Sequence, residues 1–175
     1  WNVGDSMSKL QVETISHTNN TTGMTIDSSG RITEPNRPAF QASVNSASWA
    51  SISTNAILPF DDVSSNNNFD VGGDFNTSSN RFVAPVTGKY LFFVLIYSFN
   101  SDSTNTFRLF VNGSTVKSAG NGDYDFQGGQ AGSVDETISG TAILDLTASD
   151  YVAIHASTTS DYYGTYSHFG GHLIG

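Results

Sequence analysis

The sequence contains no cysteine, which removes disulfide frameworks, thiol nucleophiles and thiolate metal sites together. Stability must therefore come from packing. Basic residues are scarce: seven Lys and Arg stand singly against 16 Asp and Glu, for a formal charge of -9 and a pI near 4.5. No basic patch is present to hold phosphates, which argues against nucleic acid and against anionic membrane surfaces as partners. Long apolar runs are missing as well. The run from Tyr90 to Tyr97 falls well short of the ~20 residues that a helix crossing a bilayer needs. Trp1 to Asn20 has no cationic start followed by an apolar core, so no secretory signal is expected. Helical periodicity is absent throughout. A charged fraction of only 13% beside abundant Ser, Thr, Asn and Gly is the composition of short strands joined by many turns.

What is present is organised around residues 81 to 98, RFVAPVTGKYLFFVLIYS. Aromatic and β-branched content behind a Pro/Gly turn favours a strand over Tyr90 to Tyr97. Alternation places Tyr90, Phe92, Val94 and Ile96 on one face and Leu91, Phe93, Leu95 and Tyr97 on the other. Both faces are apolar, so one is expected in a sandwich core and the other against a neighbouring subunit. Further strands are predicted at Ala39 to Val44, Trp49 to Ser53, Ala56 to Phe60, Asn80 to Ala84, Thr106 to Asn112, Ser114 to Ser118, Thr137 to Leu146, Tyr151 to Ala156 and Ser167 to Ile174. Asn112-Gly113 predicts a primed hairpin turn. In Tyr151 to Ala156 the face opposite Val152 and Ile154 carries His155.

Ahead of Pro38, Lys9 to Ile15 allows a short strand, and Met24 to Ile26 with Arg31 to Thr33 predicts a hairpin about Asp27 to Gly30. A lone hairpin is marginal in water. Residues 1–37 are thus expected to form an anchoring or trimerising segment distinct from a domain at 38–175.

The order Asp70, Phe75, Phe82, Gly88, Tyr90, Phe92 resembles the signature of the C1q domain, whose jelly roll is shared with tumour necrosis factor. The signature's leading Phe falls at Ser64 and its closing aromatic at Val94. The resemblance continues through Phe107 to Gly113, Ile143 to Ala156 and Ser167 to Gly175. It implies an all-β, antiparallel ten-strand jelly-roll sandwich over 38–175 and a homotrimer, with Leu91, Phe93, Leu95, Tyr97 and His155 expected at the subunit interface. The segment KLQVETI followed by NTTGMTIDSSGRIT resembles the N-terminal part of structural proteins from marine bacteriophages.

No constellation for catalysis is visible: there is no nucleophile-elbow motif and no phosphate-binding Gly motif between strand and helix. The expectation is a binding protein and not an enzyme. His168 and His172 would lie on one face of an extended strand about 13 Å apart, too far to share an ion. Asn121, Asp123 and Asp125 imitate the start of an EF-hand, but Phe126 stands where the turn needs Gly, so no cofactor is expected, with calcium the weaker alternative. Candidate ligand contacts are the polar aromatic loops: Asp123, Tyr124, Asp125 and Phe126 within 121–133, and Asp161, Tyr162 and Tyr163 within 157–165. Together these readings point to a virion surface protein of a phage, a trimeric tail fibre or receptor-binding module that contacts a host surface glycan or protein, with residues 1–37 held by other virion proteins. A capsid decoration or head-fibre protein of the same fold is the alternative, and a secreted C1q-like lectin or signalling module a further one.

Overall fold

The computed structural model describes residues 11–100, 105–116, 124–128 and 134–175. The chain divides into two compact units, Trp1–Arg37 and Pro38–Gly175. In the first, β1 (Thr14–Ser16), β2 (Thr22–Ile26) and β3 (Ile32–Thr33) make a three-stranded antiparallel sheet. The β2–β3 turn closes because the Asp27 carboxylate accepts the Ser29 and Arg31 N–H groups at 2.8 and 2.9 Å, with Gly30 at φ 77°. Ile15 and Ile32 remain exposed.

The second unit begins with β4 (Ala39–Ser43), β5 (Trp49–Ile52), β6 (Phe69–Val71), β7 (Phe75–Asn76), β8 (Arg81–Val83) and β9 (Gly88–Asn100). It continues with β10 (Thr106–Val111), β11 (Ser114–Thr115), β12 (Asp125–Gln127), β13 (Val134–Leu146), β14 (Tyr151–Ala156), β15 (Ser160–Tyr163) and β16 (His168–Leu173). A seven-stranded sheet runs β5-β15-β9-β16-β4-β6, with β13 on the other side of β9. A six-stranded sheet runs β11-β10-β14-β8-β7, with β12 also on β10. The pairings are antiparallel, and the fold is the expected jelly-roll sandwich. At the β10–β11 turn both Asn112 (φ 52°) and Gly113 (φ 75°) take the positive φ that a primed turn demands.

Strand β9 sets the layering. Tyr90, Phe92, Val94 and Ile96 point inward and are buried, while the residues between them are only half-buried. Phe92 meets Phe82 of the opposite sheet at 5.7 Å, and Phe40 of β4 stacks on Phe82 at 4.9 Å. The core is thus a set of rings from both sheets. Ala56 to Phe60 is not a strand; it crosses as irregular chain with one bridge, Ile57 to His155. Pro59 removes an N–H that a ladder would use. The structure adds β6, β7, β12 and β15 to the strands expected from sequence.

One buried polar group secures the end of β4. Asp62 is 8% exposed and accepts the N–H groups of Ser64 and Ser65 at 2.9 and 3.1 Å as well as the Ser65 hydroxyl. Asn68 donates to it and to Ser43 Oγ. The Ser65 hydroxyl and then the Ser64 N–H lower its carboxyl from 3.8 to about 2. Because the folded-state value is the lower one, this stabilisation is complete above pH 3.8 and is lost as the pH falls through about 2. Asp62→Ala is expected to cost about 2 kcal/mol at pH 7. Urea unfolding should show the gap between wild type and variant narrowing towards pH 2.5, and a gap independent of pH would contradict this account.

Candidate functional site

The outward face of the seven-stranded sheet carries a ladder of side chains set by register. Leu91, Phe93, Leu95, Tyr97 and Phe99 of β9 are half-buried there. On one side β13 places Ile143, Thr141, Ser139, Thr137 and Asp135 opposite them in that order. On the other side β16 places His172, Gly170 and His168 opposite Leu91, Phe93 and Leu95. A Cβ on Gly170 would come 2.2 Å from Phe93 Cζ, so the Phe93 ring lies directly on the glycine backbone. The centre of the face is therefore apolar and flat, and Ile143 at 58% exposure extends it to the β13 edge. Lys89 and Asp145 pair at one end of the ladder, both well exposed. His168 keeps Nδ1 enclosed without a hydrogen-bond partner, and burial holds its pKa below the ordinary imidazole value.

Towards the other end the face becomes aromatic and acidic. Tyr163 of β15 and Trp49 of β5 are cross-strand partners with rings edge-on at 5.4 Å, and Trp49 stacks on Tyr97 at 5.5 Å. A 3₁₀ turn, Gly164–Tyr166, brings Tyr166 back to stack on Tyr163 at 4.7 Å. Glycine is required at its start, because a Cβ on Gly164 would lie 2.0 Å from the Ser46 carbonyl oxygen. Trp49 is 43% and Tyr166 57% exposed. In the next row of the sheet Ser51, Asp161, Phe99 and Asp135 lie side by side on β5, β15, β9 and β13. A pocket of about 410 Å³ opens between the rows, lined by Trp49, Ala50, Ser51, Phe99, Asp135 and Asp161. Asp161 accepts the Ser51 hydroxyl and Asp135 accepts the Tyr97 hydroxyl at 2.7 Å. The Asp135 carboxylate beside it pushes the Tyr97 phenol above its ordinary pKa.

The residues singled out from sequence divide between this face and the interior. Leu91, Phe93, Leu95 and Tyr97 share the outward face, and Asp161 and Tyr163 join it at the aromatic end. Tyr162 does not. Ser160–Tyr163 is a strand rather than a loop, and its alternation sends Tyr162 inward to 5% exposure, where burial raises its phenol pKa. Phe126 is likewise buried, its ring filling the space above Gly140, where a Cβ would come within 2.2 Å. Tyr124 packs half-buried against the core, and Asp125 is held by the Arg108 guanidinium. Asp123, with the rest of 117–123 and 129–133, lies outside the described residues. Tyr124 to Phe126 are thus parts of the sandwich and not a protruding contact.

His155 lies on the other layer. It stands on β14, in the six-stranded sheet, stacked on Phe110 at 3.9 Å with Nδ1 bonded to the Asn55 carbonyl at 2.9 Å. Desolvation lowers its pKa, opposed by that carbonyl. It lies off the outward face that carries Leu91 to Tyr97, which belong to the other sheet. His168 and His172 do lie on one face, separated by Gly170. No group of three His, Asp or Glu that would hold a metal ion occurs among the described residues. Trp49 and Phe99 were not singled out from sequence. Continuing the odd-numbered alternation of β9 by one more step would have found Phe99.

The C1q domain family matches residues 39–174. The globular domain of the zebrafish complement 1qA protein superimposes with a TM-score of 0.55 at 25% identity, over 79% of this chain and 98% of that one. The Eiger tumour necrosis factor from S. frugiperda superimposes with a TM-score of 0.57 at 15% identity, over 79% and 94%, a likeness of fold. No curated protein matches the sequence. A match running from the first residue of β4 to the residue after β16 takes in the whole sandwich, and the chain belongs to the C1q domain family.

Proposed function

We propose that this chain is a trimeric adhesion module carried on the surface of a phage virion. The observation that carries the reading is the outward face of the seven-stranded sheet. Its centre, Leu91, Phe93 and Leu95 over Gly170, is the kind of flat apolar patch that a subunit contact covers. C1q and tumour necrosis factor domains are commonly trimeric and serve as binding or signalling modules rather than enzymes, which supports both halves of the proposal. Beyond the apolar centre, Trp49, Tyr163 and Tyr166 offer large rings beside Asp161, the residue types that engage sugars and polar host surfaces. Residues 1–37 attach the module to other virion proteins. Their exposed Ile15 and Ile32 need a partner, and their wording resembles phage structural proteins.

Light scattering at micromolar concentration tests the assembly, and a clean monomer overturns it. The trimer is then expected to bind host cells, to compete with infection and to gain from three-fold avidity. Tyr166→Ala, which removes an exposed ring, is expected to weaken cell binding about tenfold with thermal stability unchanged. A trimer that neither binds cells nor competes with infection overturns adhesion. Label on intact particles should mark the tail tip; label spread over capsomers instead favours capsid decoration.

A further inference from the structure

The pocket at the aromatic end has a composition that narrows what it can hold. Its two ring walls, Trp49 and Phe99, meet at 68° with centroids 5.9 Å apart, forming a corner. Asp161 and Asp135 stand on the strands either side of Phe99, in register with it. Two strand spacings put their Cα atoms about 10 Å apart. Each carboxylate accepts one neutral hydroxyl, from Ser51 and Tyr97 respectively. Ion pairs among the described residues include Arg31 with Asp27, Arg37 with Glu34, Lys89 with Asp145 and Arg108 with Asp125, and none of these reaches Asp135 or Asp161. The pocket thus combines negative charge that no ion pair among the described residues offsets with an apolar aromatic corner.

Anionic ligands are repelled by such a site. Calcium and magnesium take six or more oxygen ligands converging on one point, two carboxylates flanking a phenyl ring do not converge, and no third His, Asp or Glu among the described residues joins them to hold a metal ion. A neutral sugar can stack on the rings and donate its hydroxyls to the carboxylates, but it gains nothing from their net charge. A methylated ammonium group uses every part: its methyl groups pack against the Trp49 and Phe99 rings, the ring faces attract its charge, and a carboxylate lies on either side. The pocket volume of about 410 Å³ is ample for such a group.

We propose that the pocket lined by Trp49, Phe99, Asp135 and Asp161 binds a quaternary ammonium group, as a free solute or as the choline end of a lipid headgroup or glycan. The site lies six residues along β9 from Phe93, about 20 Å at strand rise, so the apolar centre can be covered while the pocket stays open. The inference rests on the adhesion reading for its biological setting alone.

The test uses the full chain carrying Trp1→Phe, which leaves Trp49 as the one tryptophan, since the sequence has two. Titration with tetramethylammonium is expected to change Trp49 fluorescence saturably, and calorimetry to give the same constant. Choline should bind likewise, and its neutral isostere 3,3-dimethylbutanol about tenfold more weakly or not at all. Asp161→Asn and Asp135→Asn should each weaken tetramethylammonium several-fold with the melting temperature retained. Asp145→Asn, at the far end of the face, should not. Phosphocholine and vesicles of phosphatidylcholine separate the sources: binding to the first alone assigns a free or glycan-borne group, and binding to both assigns a headgroup. No saturation with tetramethylammonium, equal affinity for the isostere, or equal affinity for potassium overturns the proposal. A trimer that adheres to cells but shows no saturable binding of tetramethylammonium sinks this inference and leaves adhesion standing. One that binds the cation but not cells does the reverse.

Discussion

Phe93→Asp is expected to abolish the proposed trimer. The Phe93 ring lies on Gly170 at the middle of the outward face, with Leu91 and Leu95 on either side along β9. In an isolated subunit the new carboxylate would stand half in water and cost little. Between subunits it would be buried without a partner, at a cost of several kcal/mol repeated in each copy. Light scattering should therefore report a fall from three times 18.7 kDa to 18.7 kDa or to unfolded chain. The melting temperature of the wild type should rise with protein concentration, and that of the variant should not. A variant that keeps the full assembly mass would remove this face from the interface.

A second large effect is expected inside the sandwich. Phe40 is fully buried and meets Phe75 and Phe82 at 4.9 Å, Phe169 at 5.1 Å and Phe92 at 6.4 Å. It is one of the rings through which the two sheets hold one another, and it touches rings of both. Phe40→Ala is expected to cost about 4 kcal/mol in denaturant unfolding, a large part of the ~5–15 kcal/mol that stabilises an ordinary domain. Phe69→Ala removes the same atoms from a position 45% exposed and should change stability by less than about 1 kcal/mol. Similar costs at both positions would mean that Phe40 does not bridge the layers.

The sandwich was legible where a strand had to bury something. β9 announced itself by apolar residues on both faces, and β14 by Val152 and Ile154 alternating with Tyr151 and His155. The type of the β10–β11 turn followed from Asn112-Gly113 alone. β15 was hidden because its neighbours Ser157, Thr158 and Thr159 read as turn, and only one of its two tyrosines faces the core. β12 was hidden in the same way, its one inward residue, Phe126, standing in a Gly-rich stretch. Ala56 to Phe60 misled in the other direction, because its buried Leu58 and Phe60 imitate a strand's spacing. The pocket was the least legible feature. Trp49, Phe99, Asp135 and Asp161 come from four strands, and nothing local to any one of them reveals the row in which they meet. His155 shows the limit of alternation: it indicates that a side chain leaves the core, but not which of two sheets it leaves from.

The position of β16 bears on when the chain can fold. β16 is inserted between β9 and β4, although it follows both in sequence. Its Gly170 and Gly171 lie against Phe93 and Phe92, one ring on each side of the strand. A slip by one residue would drive the Cβ of Phe169 or His172 into those rings, so the glycine pair admits a single register. Until residues 168 to 173 leave the ribosome, β4 and β9 must hold a strand-wide slot open between them, each presenting an unpaired edge to any other chain within reach. Completion of this sheet therefore waits on β16. The sheet that carries the whole outward face exists only once its last-made strand is threaded into its middle, which makes non-local closure the slow step.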